Sequence, residues 1–361
     1  MLSTTTKSKR QLIQPQPSHQ SSLFLAEPTT VPPFKELVVG KHQLITTPVY
    51  DSYWFLAYER QEILFKRLHG ARAPWTQDHI LLRHKFTNAY RAADRTSQYL
   101  IREVIYRPEL PSTSCEVFFR ILLFKLFNKI ETWQLLERTL GEITLADYRF
   151  EHYDRVLQVA LNAGQQIYSA AYMMPPGRSV FGYERKHQNH LRLLEKMVAD
   201  HLPQKIADAG SMAEAFELIR TYPTIGDFLA YQYVTDLNYS ELTDFSEQEF
   251  VIAGPGARDG IRKCFADSAG MGEADLIRLM MDRQEQEFDE RGLPFRNLWG
   301  RPLQLIDCQN LFCEVSKYAR VRHPDVMGCS SRTRIKQLFK PTKRNLTYFF
   351  PPKWGINSRI N

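Results

Sequence analysis

Two sets of polar residues recur in this chain at a helical spacing. Asp307, Asn310, Glu314 and Lys317 stand at i, i+3, i+7 and i+10, and Asn88, Arg91, Arg95 and Gln98 repeat the same intervals. At about 100° per residue each set covers roughly 80° of arc, one face of a helix. Carboxylate, amide, carboxylate and ammonium along one face are the groups that bind a base edge and move protons. The same spacing describes the solvated face of an ordinary amphipathic helix, on which Glu314 and Lys317 would pair for about 0.3 kcal/mol. A third set lies in CEVFFRILLFKLFNKI, from Cys115 to Ile130. There Arg120, Lys125 and Asn128 interrupt an apolar run, and buried groups of these types need partners. They tie a core together or line a cleft.

Two glycine-bearing stretches could meet an anion. Tyr222-Pro223-Thr224-Ile225-Gly226-Asp227-Phe228-Leu229-Ala230 is similar to a helix–hairpin–helix turn, usually a hydrophobic residue, then Pro-Gly-Ile-Gly and a helix. Such a turn aims the second helix's free N–H groups at a phosphate, and Gly226 permits close approach. Thr224 stands where that turn usually carries glycine; an ordinary helix–loop–helix corner is the alternative. The second stretch, FVIAGPGARDG (Phe250 to Gly260), holds Gly254, Gly256 and Arg258 just before a helix. Its amides could face an anion, or simply form a capped turn. The pattern GxxxxGK[ST] occurs nowhere in the chain, which counts against a P-loop kinase. Glu184, His187 and His190 have a weak metal-ligand spacing, and surface histidines are the expected reading.

The elements that must position these groups read as helices. Amphipathic runs cover Tyr50 to Leu68 and Phe86 to Tyr106, and Cys115 to Ile130 reads as a central buried helix. Further helices are expected at Thr144 to Ala171, Lys186 to His201, Met212 to Thr221, Gly226 to Leu237, Gly260 to Phe265, Gly272 to Arg291 and Asp307 to Arg320. The expected fold class is all-α. Residues 1–35 are rich in Ser, Thr, Gln and Pro, with Lys7, Lys9 and Arg10 and no acid before Glu27. They read as a disordered tail, with a transit peptide as the alternative. Residues 326–361 contain no acid and interleave Arg332, Arg334, Lys336, Lys340, Lys343, Arg344, Lys353 and Arg359 with Phe339, Tyr348, Phe349, Phe350 and Trp354. That pattern suits a nucleic-acid arm of phosphate-neutralising cations and stacking rings, or a tail packing its rings on the domain.

The chain has 361 residues and a net charge of +7, a surplus that favours polyanionic partners. Its five scattered cysteines, with no CxxC, suit a reducing compartment and argue against a structural zinc site. No apolar run approaches the roughly 20 residues of a membrane span. A soluble cytoplasmic protein (nuclear if eukaryotic) is expected.

Taken in order, five stretches resemble a known family. They are FTNAYRAADRTSQYLI from Phe86, FFRILLFKLFNKIETW from Phe118, YPTIGDFLAYQYVTDLNYS from Tyr222, EFVIAGPGARDGIRKCF from Glu249 and DCQNLFCEVSKYARV from Asp307. They look like the helical domain of 5-hydroxymethyluracil DNA kinases, also called the alpha-glutamyl/putrescinyl thymine pyrophosphorylase family. That family is thought to be distantly related to helix–hairpin–helix DNA glycosylases. The resemblance implies a two-lobed glycosylase-like fold over residues 50–323, with lobes of about 50–205 and 206–323 and a cleft between them. It implies double-stranded DNA carrying modified pyrimidines as partner, with no cofactor, metal or membrane.

In such glycosylases an Asp beyond the hairpin stabilises the cationic sugar; the matching position here is Gly254 or Pro255, with Asp244, Glu249 and Asp259 nearby. The expected catalytic residues are Glu314, Asp307 and Asp244. The expected DNA-binding set is Asn88, Arg91, Arg95, Gln98, Arg120, Asn128, Gly226, Gln232, Gly254, Gly256, Arg258, Gln309, Asn310 and Lys317. The leading expectation is glycosylase-type excision of a flipped modified base, serving antiviral defence. The alternatives are displacement of pyrophosphate from an activated hydroxymethyluracil by an amine or amino acid, and a non-catalytic DNA-binding module that partners a base kinase.

Overall fold

The structure, a computed structural model, describes residues 34–172, 174–341 and 347–360. Strands β1 (Lys35–Val39) and β2 (His42–Thr46) pair antiparallel, with Lys35 opposite Thr46 and Val39 opposite His42. Gly40 turns the hairpin at φ +55°, a left-handed conformation that glycine adopts without penalty. A distant third strand, β3 (Phe265–Asp267), pairs antiparallel with β2. The fold is therefore mostly helical, as expected, with a small sheet that the all-α reading did not include. KELVVGKHQLIT carries a hairpin signal, two β-prone runs about a Gly-Lys turn, but β3 has no local signature. The expected N-terminal tail lies outside the described residues up to 33.

α1 (Pro48–Leu68) begins where the Thr47 side chain accepts from the Val49 amide and Pro48 fills the first position, both standard ways to start a helix. α2 (His79–Arg83) is capped by Asp78, which accepts from the Ile80 and Leu81 amides. The next stretch departs from expectation. Residues 86–106 are not one helix: Arg91–Ala93 is a 3₁₀ turn, α3 covers only Arg95–Tyr99, and Leu100–Ile105 continues as a π-helical stretch. Asn88, Arg91, Arg95 and Gln98 thus do not share one helical face. The reason is local. The Asn88 amide donates to Asp94 Oδ1 at 2.7 Å, and Asn88 Nδ2 donates to the Ala93 carbonyl at 2.7 Å. Such Asn and Asp bonds offer the backbone an alternative to helix.

α4 (Ser114–Phe127) is buried at every position from Glu116 onward and ends at Asn128 in the left-handed conformation. Around it lie α5 (Ile130–Leu140), α6 (Phe150–Asn162), α7 (Arg178–Phe181), α8 (Lys186–Ala199) and α9 (Leu202–Ala207). α10 (Met212–Arg220) and α11 (Asp227–Leu237) are joined by the Tyr222–Gly226 turn. Thr224 there takes φ +70°, so the backbone demands what glycine gives freely, and a β-branched residue holds it under strain. α11 packs on α4, on the far side of the sequence boundary near residue 205.

α12 (Pro255–Cys264), α13 (Glu273–Asp282), α14 (Gln284–Glu290) and α15 (Leu305–Arg322) complete the helices. α12 approaches α15 almost backbone to backbone. A Cβ on Gly260 would overlap the Phe312 carbonyl, and one on Gly256 would lie 3.0 Å from Cys313 Sγ. One hydrophobic cluster runs from Leu44 to Ile356, and the described residues form one compact unit. Among the described residues, no helix is long and apolar enough to cross a membrane.

The close helix pair gives a graded expectation. Gly260→Ala should lower unfolding free energy by about 3 kcal/mol, the upper range for overpacking a tight interior. Gly256→Ala, meeting chiefly the Cys313 side chain and not a backbone carbonyl, should cost about 1 kcal/mol. Urea denaturation of the two variants checks the order; equal costs would contradict this packing.

Candidate functional site

Three buried charges meet where α11, α4 and the segment before α3 come together. Arg91 grips Asp236 with both arms of its guanidinium, Nη1 to Oδ1 at 2.8 Å and Nη2 to Oδ2 at 3.0 Å. Its Nε donates to Gln232 Oε1 at 3.1 Å and its Nη1 to the Tyr239 hydroxyl at 3.0 Å. Lys125 Nζ reaches the same carboxylate at 3.1 Å and donates to Asn128 Oδ1 at 2.9 Å. Arg91 and Lys125 are 3% and 4% exposed and Asp236 is fully buried, so two interior cations share one carboxylate. Burial raises the cost of ionising Asp236, but Arg91 and then Lys125 outweigh it and hold the carboxyl below its usual range. Burial and the neighbouring Arg91 charge push the Lys125 ammonium down. The Tyr172 ring lies under that ammonium, 4.7 Å from centroid to Nζ.

Two further carboxylates flank this cluster. Because residues 84–90 are not helical, their amides need other acceptors. Glu314 Oε2 accepts from the Thr87 amide at 2.9 Å, and Asp94 Oδ1 accepts from the Asn88 amide at 2.7 Å. Adjacent backbone groups thus bring two acids together. Glu314 also pairs with Lys317 at 2.8 Å, and Lys317 lies over the Phe86 ring. Arg60 closes the other side, donating to the Thr87 carbonyl and to Asn88 Oδ1. Asp94 is half-buried, and its carboxyl is pushed up to about 7. Burial is the main cause; the Glu314 charge adds to it, while the Asn88 amide, Arg60 and Arg91 oppose it. A half-buried carboxylate poised near neutrality is suited to take a proton.

The structure divides the sequence-derived site residues. It brings together Asn88, Arg91, Asn128, Gln232, Glu314 and Lys317 around this cluster. Asn310 is half-buried one turn before Glu314 on α15. Asp307 is buried, accepting from the Gln304 amide at 3.0 Å and the Arg91 amide at 2.7 Å. It caps α15 and pins Arg91 in place, and burial lifts its carboxyl to about 7 against those two donors. Gln309 is fully buried beside Gly254, and Gly256 packs on Cys313.

The others lie apart. Arg120 is buried in α4 with its donors on the Val104 and Pro111 carbonyls. Gln98 is spent on the Ala92 carbonyl and on both backbone groups of Phe349. Arg95 and Arg258 are exposed and paired with Glu131 and Glu273. Asp244 is 88% exposed and faces Lys353, and Gly226, exposed, is the N-cap of α11.

His187 and His190 are buried rather than at the surface. His187 meets Asp154 at 2.7 Å, and His190 meets the Tyr168 hydroxyl and the Pro175 carbonyl. The rings of the C-terminal segment pack on the fold: Phe350 is fully buried, and Trp354 lies over the Arg301 guanidinium. Arg332, Arg334, Lys336 and Lys340 are exposed; Lys343 and Arg344 lie outside the described residues. A cavity of about 300 Å³ adjoins Arg60, lined also by Ile63, Pro74, Trp75, Leu82 and Phe339, but neither Asp94 nor Glu314 lines it.

Asp94, Asp236, Arg60 and Tyr172 are absent from the sequence-derived set. Asp94 falls off the supposed helical stripe because that helix does not exist. Asp236 was visible as an acid four residues after Gln232 in an apolar helix, a pair on one face.

Residues 47–328 match the family model described as 5-hmdU DNA kinase, helical domain. The chain belongs to that family. It is also 26% identical over 287 residues to the 5-hmdU DNA kinase of Bacillus phage SP10, covering 75% of this chain and 45% of the phage protein. The chain thus spans under half of that relative's length. No solved structure matches it.

Membership of the 5-hmdU DNA kinase helical-domain family overturns the leading functional expectation. The family model and the phage relative both carry the name of a kinase, not of a glycosidic-bond hydrolase. Base excision, with its glycosylase and hydrolase assignment and its antiviral role, is withdrawn. The chain carries no GxxxxGK[ST] pattern, the loop that cradles nucleotide phosphates in P-loop enzymes.

The shared carboxylate makes one energetic expectation firm. Asp236→Asn removes the only charge balancing Arg91 and Lys125 among the described residues within bonding distance, and stranding a buried ion typically costs about 3–5 kcal/mol. Chemical denaturation should show a loss of that size. A loss under about 1 kcal/mol would mean the two cations are otherwise compensated.

Proposed function

We propose that this chain acts in the phosphorylation of 5-hydroxymethyluracil in DNA, and that the Asp94 recess receives the base. Asp94 carries the reading: a half-buried acid near neutrality whose Oδ2 takes no hydrogen bond among the described residues. The names of the family and of the phage relative supply the reaction. Asp94 and Glu314 come from the two stretches expected to form separate lobes, residues 50–205 and 206–323, which supports this reading. A C5 substituent points into the major groove of a duplex. Asp94 is recessed, so the base must leave the stack to reach it, at a cost of a few kcal/mol.

In the transfer, the hydroxymethyl oxygen bonds to the terminal phosphorus of a nucleoside triphosphate. The bond from that phosphorus to its bridging oxygen breaks, and the nucleoside diphosphate leaves. The hydroxyl proton passes to Asp94. Glu314, tied to Lys317 and the Thr87 amide, keeps Asp94's proton affinity high. The positive excess of Arg91 and Lys125 favours anionic groups in the recess. The residues named here serve the acceptor side of the transfer.

The test combines the full chain, ATP and duplexes bearing one 5-hydroxymethyluracil or one thymine, with mass spectrometry of the released nucleosides. The expected product is a phosphate ester on an intact nucleoside. Asp94 must be ionised to act as base, so turnover should rise with pH through about 7 and level off above it. Asp94→Asn should lower turnover by about 100-fold or more and abolish that rise, with duplex affinity within about threefold of the parent. Equal binding of the two duplexes with no ester formed would refute the reading.

A further inference from the structure

The cavity beside Arg60, about 300 Å³, stands at the low end of the range for small-ligand sites. Ile63, Leu81 and Leu82 supply apolar wall, and two rings line it, Trp75 and Phe339. Their centroids lie 6.4 Å apart with planes 73° from parallel. A flat ring laid on one therefore meets the other edge to face, a favoured aromatic geometry. Both rings are held in place. Trp75 Nε1 donates to the Ala71 carbonyl at 2.7 Å, and the Arg67 guanidinium lies over the indole at 5.0 Å. The Phe339 amide donates to the Arg83 carbonyl at 3.0 Å, and the Lys85 amide to the Gln337 carbonyl at 3.0 Å. Both rings are half-buried and so remain reachable. Among the described residues, Arg60 is the one charged group in the lining. It is 9% exposed; Nε and Nη2 bond to Thr87 and Asn88, while Nη1 takes no hydrogen bond among the described residues.

Cations border this apolar lining. Arg72 precedes Ala73, Arg83 follows Leu82, and Lys340 lies between Phe339 and Pro341; each is exposed and adjoins a residue of the cavity wall. The same segment carries Lys336, Arg334 and Arg332, all exposed, and exposed Lys85 pairs across from Gln337. None of these cations forms an ion pair among the described residues, and residues 326–361 contain no acid. Two acids, Glu59 and Asp78, line a neighbouring hollow that shares Pro74, Trp75 and Thr76 with the cavity. Both are engaged. The Thr76 hydroxyl donates to Glu59, while Asp78 caps α2 and accepts from the Tyr318 hydroxyl at 2.7 Å. From Arg332 to Lys340 the backbone can reach at most about 30 Å, a length suited to several phosphates in a row.

We infer that this surface holds an unpaired stretch of DNA, with one base in the cavity and the adjoining phosphates along Arg72, Arg83, Lys340 and Lys336. The base stacks on Trp75 and meets Phe339 at its edge, and Arg60 donates to a ring carbonyl. Cations that follow a backbone, beside rings on which a base stacks, are how proteins hold single strands. A free mononucleotide would fill the cavity but leave Arg332 and Arg334 without a partner. Stacking accepts every base, so the cavity supplies grip and not sequence choice. Arg60 also joins the cavity to the acceptor site. It donates to the Thr87 carbonyl and Asn88 Oδ1, and the amides of those two residues donate to Glu314 and Asp94. The assignment takes DNA as partner from the function proposed above and makes no use of the role given to Asp94.

The test measures binding of the full chain to a fluorescent oligothymidylate of about 12 nucleotides over a range of salt concentrations. Trp75→Ala and Phe339→Leu should each weaken binding by about fivefold or more. Lys336→Gln and Lys340→Gln should each flatten the plot of log affinity against log salt by about 0.7. Lys205→Gln, exposed on α9, should change neither quantity. Thermal denaturation confirms folding; Phe339→Leu keeps most of the apolar volume and decides the matter should Trp75→Ala unfold. Undiminished affinity in the folded ring variants would overturn the cavity assignment even if the lysine variants lose slope, since a plain polyanion surface behaves that way. Unchanged slopes in both lysine variants would overturn the phosphate track. Displacement of the oligonucleotide by ATP of equal or higher affinity would overturn the strand in favour of a free nucleotide. The probe carries no hydroxymethyluracil, so this result stands or falls apart from phosphorylation at the Asp94 site.

Discussion

Much of the interior is arranged around one ion pair, the two-armed grip of Arg91 on Asp236. It joins the segment before α3 to α11, and Lys125 brings α4 to the same carboxylate. Through its own amide, Arg91 also fixes the first turn of α15 at Asp307. A buried ion pair gives little net stability against a well-packed apolar substitute. What it imposes is geometry, because the bidentate fork accepts one orientation of its partner. Two cations on one acid also leave an excess of positive charge in the interior, where low polarisability lets it act over several ångströms.

The rest of the site follows from drawing Arg91 inward. The chain around it takes an irregular path, so the Thr87 and Asn88 amides lose helical acceptors and turn to Glu314 and Asp94. Backbone bookkeeping thus places two acids side by side, and half-burial does the rest by lifting Asp94 toward neutrality. Function on this reading depends on the irregular segment before α3, not on a helical face. Excision and phosphorylation make different demands on such a place. A glycosylase needs a carboxylate near the sugar, whereas a phosphoryl acceptor needs one near the base substituent.

The C-terminal segment shows how composition misleads when packing is unknown. Its cations and rings suit a nucleic-acid arm, yet Phe350 is buried, Trp354 covers Arg301, and Phe349 is bonded on both backbone groups to Gln98. Asp259 holds the start of the same segment through the Ser330 amide. The rings are structural; Arg332, Arg334, Lys336 and Lys340 face solvent.

Sequence by itself determined what is local or ordered along the chain. The helices at α1, α4, α8, α10, α11 and α15 were readable as continuous runs of helix-prone residues, and α1, α4 and α10 also carry side-chain caps. The family was readable because five stretches occur in order. The polar face of α15 was readable too, and Glu314 and Lys317 do lie at the recess. Only the tertiary structure decided that Phe86 to Tyr106 breaks, since Asn88 and Asp94 outbid the helix by bonds that periodicity does not register. It alone placed β3 beside β2 and made Gly256 and Gly260 packing residues of α12. It alone set Asp94 among Glu314, Arg60 and Arg91, because proximity of groups hundreds of residues apart, and the burial that shifts their proton affinity, exist only once the chain has closed on itself.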